Sequence, residues 1–154
     1  MTIRGMITST KAETAAALLL RLAGTHNGAR ALIESGLVHS LISCHFVDYR
    51  PEPSVLDTLA PVVVETYHSL LMPVLQLLTA LLSSLGSAAL DQVVAFLSAH
   101  AQLVLLVLKD RAPTVRKESL AEVRMMTALF YALARVNKAK RLEALLPGFG
   151  GQFH

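Results

Sequence analysis

From Thr66 to Leu90 the chain runs for 25 residues without a Lys, Arg, Asp or Glu. No other feature restricts the fold as much. An apolar tract of this length can span a bilayer, which takes about 20 apolar residues, or it can form the centre of a packed helical layer. The pattern inside it favours the second. Ser69, Pro73, Gln76, Thr79 and Ser83 return every three or four residues, which puts them on one side of a helix. The flanks offer Glu65 and Asp91 but no Lys/Arg cluster, and topology-setting cations are what a membrane anchor carries there. Pro73 lacks an N–H and is expected to kink this helix.

Around this tract the chain reads as further short helices. Thr10-Lys-Ala-Glu13 is a capping-box pattern, so a first helix is expected from there to Ala23, ended by Gly24. A second is expected from the N-cap candidate Asn27 to Ser35, broken by Gly36. A third carries Leu37, Val38, Leu41 and Ile42 at helical spacing, and Arg50-Pro51-Glu52-Pro53 then forces an extended loop. Ser87 is placed to cap a helix over Ala88–Ala99. Gln102–Leu108, Arg116–Val136 and Lys138–Leu146 complete the series, with Pro113 in the loop between the first two. β-branched alternation is absent. Helical hairpins with short Gly or polar turns, apolar on two sides, predict an all-α, irregular armadillo/HEAT-like α-solenoid segment of about seven or eight helices, with residues 1–154 as one unit.

Chemistry has few candidates. Cys44 is the single cysteine, which excludes an internal disulfide and suits a reducing compartment. His39, Cys44, His45 and Asp48 are ligand types, but they lack the paired spacing of a zinc site, and Cys44 is expected to be buried and unreactive. Nucleophile, phosphate-loop and zinc-protease motifs are missing. No enzyme, cofactor, metal site or small-molecule substrate is therefore expected. Glu118 and Glu122 read as acids favoured near a helix start. Residues 109–141 hold nine of the 14 Lys and Arg, but without the interleaved aromatics that single-strand binding uses, so no specific nucleic acid is expected. Tyr67, His68 and Gln76 are the polar members of an apolar helix, facing either solvent or a buried network.

Several pieces, in order, resemble the very large scaffold nucleoporins of the nuclear pore inner ring. They are LLLRLAGTHNGARALIESGLVHSLISCHFVDYRPE (Leu18–Glu52), YHSLLMPVLQLLTALLSSLGS (Tyr67–Ser87) and QVVAFLSAHAQLVLLVLKD (Gln92–Asp110). Asn27–Cys44 also resembles the second-to-third helix junction of an armadillo repeat, where a Gly lets two helices meet sharply. The nucleoporin resemblance implies a fragment from the C-terminal part of a much longer solenoid. It implies a structural role at the nuclear pore complex of the nuclear envelope, binding other nucleoporins through short linker segments and meeting the membrane only indirectly. It also gives the composition a meaning. Hydrophobic residues make up 53% of the chain and charged residues 16%, with mean hydropathy +0.52. Apolar faces shared between neighbouring repeats account for such values without a bilayer. From helical spacing alone, the expected partner surface is the ridge Leu120, Val123, Met126, Phe130 and Leu133, suited to helix-on-helix contact. The alternatives are a generic armadillo/HEAT-like adaptor outside the pore, or a helical membrane protein using residues 66–90.

Overall fold

The structure is a computed structural model that describes residues 3–51, 58–109 and 115–145, with side chains from Lys11 onward. Seven α-helices occupy these residues: α1 (Ile3–Ala23), α2 (His26–Glu34), α3 (Leu37–Ile42), α4 (Pro61–Leu85), α5 (Ser87–Ala99), α6 (Ala101–Leu108) and α7 (Lys117–Leu145). A 3₁₀ turn, His45–Tyr49, follows α3. Among the described residues all regular structure is helical. The segment is all-α and solenoid-like, as expected.

The long uncharged tract is α4, and it sits at the centre. Leu71, Leu75, Leu78, Leu81 and Leu82 are buried, while Ser69, Gln76 and Ser83 are exposed on the opposite side. Three hydroxyls on this helix bond back to its own backbone: Thr66 Oγ1 donates to Val62 O, Ser69 Oγ to Thr66 O, and Thr79 Oγ1 to Leu75 O. That satisfies each hydroxyl locally and lets an apolar helix carry it. Pro61 opens α4 at a position where its missing N–H costs nothing. The helix continues through Pro73 to Leu85. Among the described residues α4 is the one unbroken helix long and apolar enough to cross a membrane. Here it packs on α1, α2, α5 and α7.

Four boundaries differ from the sequence reading. α1 runs unbroken through Thr10, because no proline precedes it and extending a helix is easier than nucleating one. Thr25, not Asn27, caps α2. Its Oγ1 accepts from Gly28 N and donates to Leu22 O, so one hydroxyl closes α1 and opens α2. Ser87 is the first residue of α5, and the junction is made by Gly86 at φ 57°. α7 continues through Asn137 and Lys138 to Leu145 as one helix, since neither residue interrupts helical geometry as Gly or Pro does. Gly36 behaves as read: φ 81° lets α2 and α3 meet at a two-residue turn. Glu52, Pro53 and Pro113 lie outside the described residues, as does Leu146.

Candidate partner surface and buried polar junctions

α7 carries the ridge anticipated for a partner. Leu120 is 59% exposed and Phe130 39%, whereas Met126 is fully buried. Val123 and Leu133 are half-buried against the core. The five do not share one face, and the geometry explains why. A step of three residues falls about 60° short of a full turn. Leu120, Val123 and Met126 therefore rotate progressively from solvent into the core. Leu120 and Phe130 are the members that offer surface.

Below α7 lies a polar junction that no motif announced. Arg50, at the end of the 3₁₀ turn, is 6% exposed, and Glu122 on α7 is 4% exposed. Arg50 Nε and Nη2 each lie 2.9 Å from Glu122 Oε2. His68 Nδ1 on α4 lies 3.2 Å from Glu122 Oε1. Beside them the Tyr67 hydroxyl donates to Val47 O at 2.7 Å. Burial, and next the negative charge of Glu122, pushes the Tyr67 hydroxyl well above its ordinary range, with Arg50 partly opposing. Tyr67 thus stays a neutral donor. Four side chains join α4, α7 and the exit of the 3₁₀ turn. Glu122 adds to the sequence reading, which took it only for an acid favoured near a helix start and did not place it in a buried pair. It sits one turn deeper, on the face turned to α4. Tyr67 and His68 belong to this network, and Gln76 faces solvent.

A second junction forms where α5 and α6 meet at 76°. His100, at the break, is 3% exposed. Its Nδ1 lies 2.8 Å from Asp48 Oδ1 and its Nε2 3.2 Å from Leu41 O. The Phe96 ring packs 4.7 Å away. A third bracket ties the end of α4 to the first hairpin. Ser84 Oγ donates to Ala23 O, and His26 Nδ1 lies 3.2 Å from Ser84 O.

The cluster His39, Cys44, His45 and Asp48 does not come together. His39 and His45 point to solvent, and Asp48 pairs with His100 instead. Cys44 is half-buried rather than buried, because it lies in the exit from α3, where the chain leaves the packed face. Among the described residues no three His, Cys, Asp or Glu side chains group to hold a metal ion. Every buried ionisable side chain found here is paired with another element of the fold, which is the chemistry of helix-to-helix cohesion.

Comparison with known proteins gives this architecture its context. The family model described as "Nuclear pore complex scaffold, nucleoporins 186/192/205" matches residues 3–136. Human nuclear pore complex protein Nup205 is 30% identical over 128 residues, covering 76% of this chain and 6% of that protein. The Drosophila melanogaster Nup205 is 30% identical over 141 residues, covering 85% of this chain and 7% of that protein. The chain thus spans a small part of the length of these relatives. The matched region runs from α1 into α7 and takes in all three polar brackets, so the adaptor-outside-the-pore alternative is set aside. The chain belongs to the family of nuclear pore complex scaffold nucleoporins 186/192/205, components of the pore at the nuclear envelope.

Proposed function

We propose that this chain is a non-enzymatic scaffold segment of the pore's inner ring, one solenoid unit of a longer chain, holding other nucleoporins through its helical surfaces. The observation that carries the reading is the family match over residues 3–136. It is supported by the use the fold makes of its ionisable groups, which pair across helices that are far apart in sequence. On this reading Leu120 and Phe130 present the partner surface. Val123 and Leu133 flank them, and Met126 anchors the helix from beneath. The partners are short linker segments of other nucleoporins, contacting helix faces.

The test is cross-linking mass spectrometry on the tagged chain expressed in cells, combined with imaging. The expected result is enrichment at the nuclear rim with cross-links from α7 to inner-ring nucleoporins, weakened by Leu120→Asp and Phe130→Asp. A folded chain that stays off the rim and cross-links to no pore protein would overturn the proposal.

A further inference from the structure

One face of α7 remains after packing is accounted for, and it is strongly charged. At 100° per residue, Lys117, Arg124, Tyr131, Arg135, Lys138 and Arg141 fall within one side of the helix. All six are exposed. The stripe runs from Lys117 to Leu145, about 42 Å at the helical rise. It holds five cations and no acid. The three acids of α7 lie about 100° or more around the helix from Arg124: Glu122 is buried, and Glu118 and Glu143 are half-buried. Lys140, on the other side, reaches Asp91 at 4.0 Å. Among the described residues none of the five stripe cations has a carboxylate within ion-pair distance. Exposed Leu120 and Leu145 sit between and beyond the charges.

We infer that this stripe is a docking surface for an acidic polypeptide segment that also carries apolar side chains. The inference rests on the scaffold reading, in that both make the chain a platform for other proteins. Charge complementarity supplies the sign of the partner. The interleaved Leu120, Tyr131 and Leu145 supply the rest, because a partner made of charge alone would leave them uncovered. Nucleic acid fits less well. A duplex presents a charge about every 1.7 Å, far denser than five cations along this length, and strand binding uses stacking platforms. The one aromatic ring on the stripe, Tyr131, already has the Arg135 guanidinium 5.9 Å from its centre. A lipid surface fits less well again. An interfacial helix buries its apolar side in the bilayer, and the apolar side of α7 is packed on α4.

Fluorescence anisotropy on the whole chain tests this. The probe is a labelled synthetic peptide with Glu and Leu on one helical face, and the control peptide has Gln in place of Glu. Three variant chains are compared, each checked by circular dichroism. The first is Arg124→Glu/Arg135→Glu/Lys138→Glu. The second, Lys11→Glu/Arg21→Glu/Lys109→Glu, changes net charge equally elsewhere. The third, Arg124→Gln/Arg135→Gln/Lys138→Gln, serves if charge reversal disturbs folding. The expected result is binding of the Glu peptide to wild type, weakened about tenfold or more by the first variant. The third variant should weaken it by less, and the second should change it little. Equal loss in the first and second variants would overturn the inference. So would equal binding of the Gln peptide, no binding of either peptide, or tighter binding of single-stranded RNA or of anionic vesicles. Any of these leaves the scaffold reading standing, since that reading is overturned only by a folded chain that stays off the rim and cross-links to no pore protein.

Discussion

At the scale of single residues, the Arg50–Glu122 pair is the feature with most at stake. Both groups are desolvated, so removing one deprives the other's buried charge of the short contact between them. Arg50→Ala or Glu122→Gln is expected to destabilise the chain by about 3–5 kcal/mol, read by urea denaturation. The double replacement Arg50→Met/Glu122→Leu is expected to cost less than either single change. Additive losses in the double variant would show that the two act separately. Tyr67 makes a pH prediction. Its hydroxyl binds its proton more tightly in the folded chain than in the unfolded one. The resulting stability is present below the ordinary tyrosine value of 10.0 and declines as pH rises above it. Tyr67→Phe should lose about 1 kcal/mol at neutral pH, with the hydrogen bond to Val47 O. It should also flatten the alkaline decline. Denaturation at pH values on either side of 10.0 compares the two slopes. Of this, only a buried network at Tyr67 and His68 was legible beforehand, as one of two alternatives. Arg50 looked like a loop residue before proline and Glu122 like a helix-start acid, because burial is not written in residue type.

At the scale of elements, the first hairpin depends on two glycines for different reasons. A Cβ on Gly28 would lie 2.2 Å from Leu22 O and 2.6 Å from Thr25 Oγ1. The nearer atom is backbone at the end of α1 and cannot step aside alone. At Gly36 a Cβ would meet nothing within 4 Å, and only the positive φ is strained. Gly28→Ala is therefore expected to cost about 2–3 kcal/mol, and Gly36→Ala about 1–2 kcal/mol. Thermal melts followed by circular dichroism give the order, and a milder effect at Gly28 would remove the close-approach account. Sequence reasoning found Gly36, which interrupts an apolar pattern. It passed over Gly28, because a glycine inside a helix shows no sign of what lies beside it. The cap of α2 shows the same limit. Thr25 and Asn27 are both good capping types, and the choice fell to Thr25, whose hydroxyl bonds α1 as well as α2.

At the scale of the whole molecule, α4 is shared by most of the structure, with α1, α2, α5 and α7 all packed on it. Leu78 lies fully buried on this helix. Leu78→Ala is expected to cost about 2–5 kcal/mol. Unfolding should still occur in one step, with far-ultraviolet circular dichroism and tyrosine fluorescence changing together. Separate transitions would mean that the two ends of the chain are stabilised independently, as distant repeats of a solenoid can be. The basic stripe on α7 also belongs to this scale. It exists as a continuous surface only because α7 is one helix from Lys117 to Leu145. Two shorter helices separated near Asn137 would have pointed Arg124 and Arg141 in unrelated directions.

The order of residues was enough to establish an all-helical chain, the sharp turn at Gly36, the uncharged helix with its polar stripe, and the resemblance to the pore scaffold. Those are properties of local periodicity, of backbone punctuation and of short motifs in a row, so they survive without knowledge of contacts. Folding decided which polar residues are buried and which face of α7 is left to solvent. Arg50 and Glu122 are separated by 72 positions, and His100 and Asp48 by 52. A helical period states that a face exists but not what it meets. That is settled by packing between helices distant in sequence, and here it turned a helix-start acid into a buried partner and a stretch of scattered cations into one exposed line.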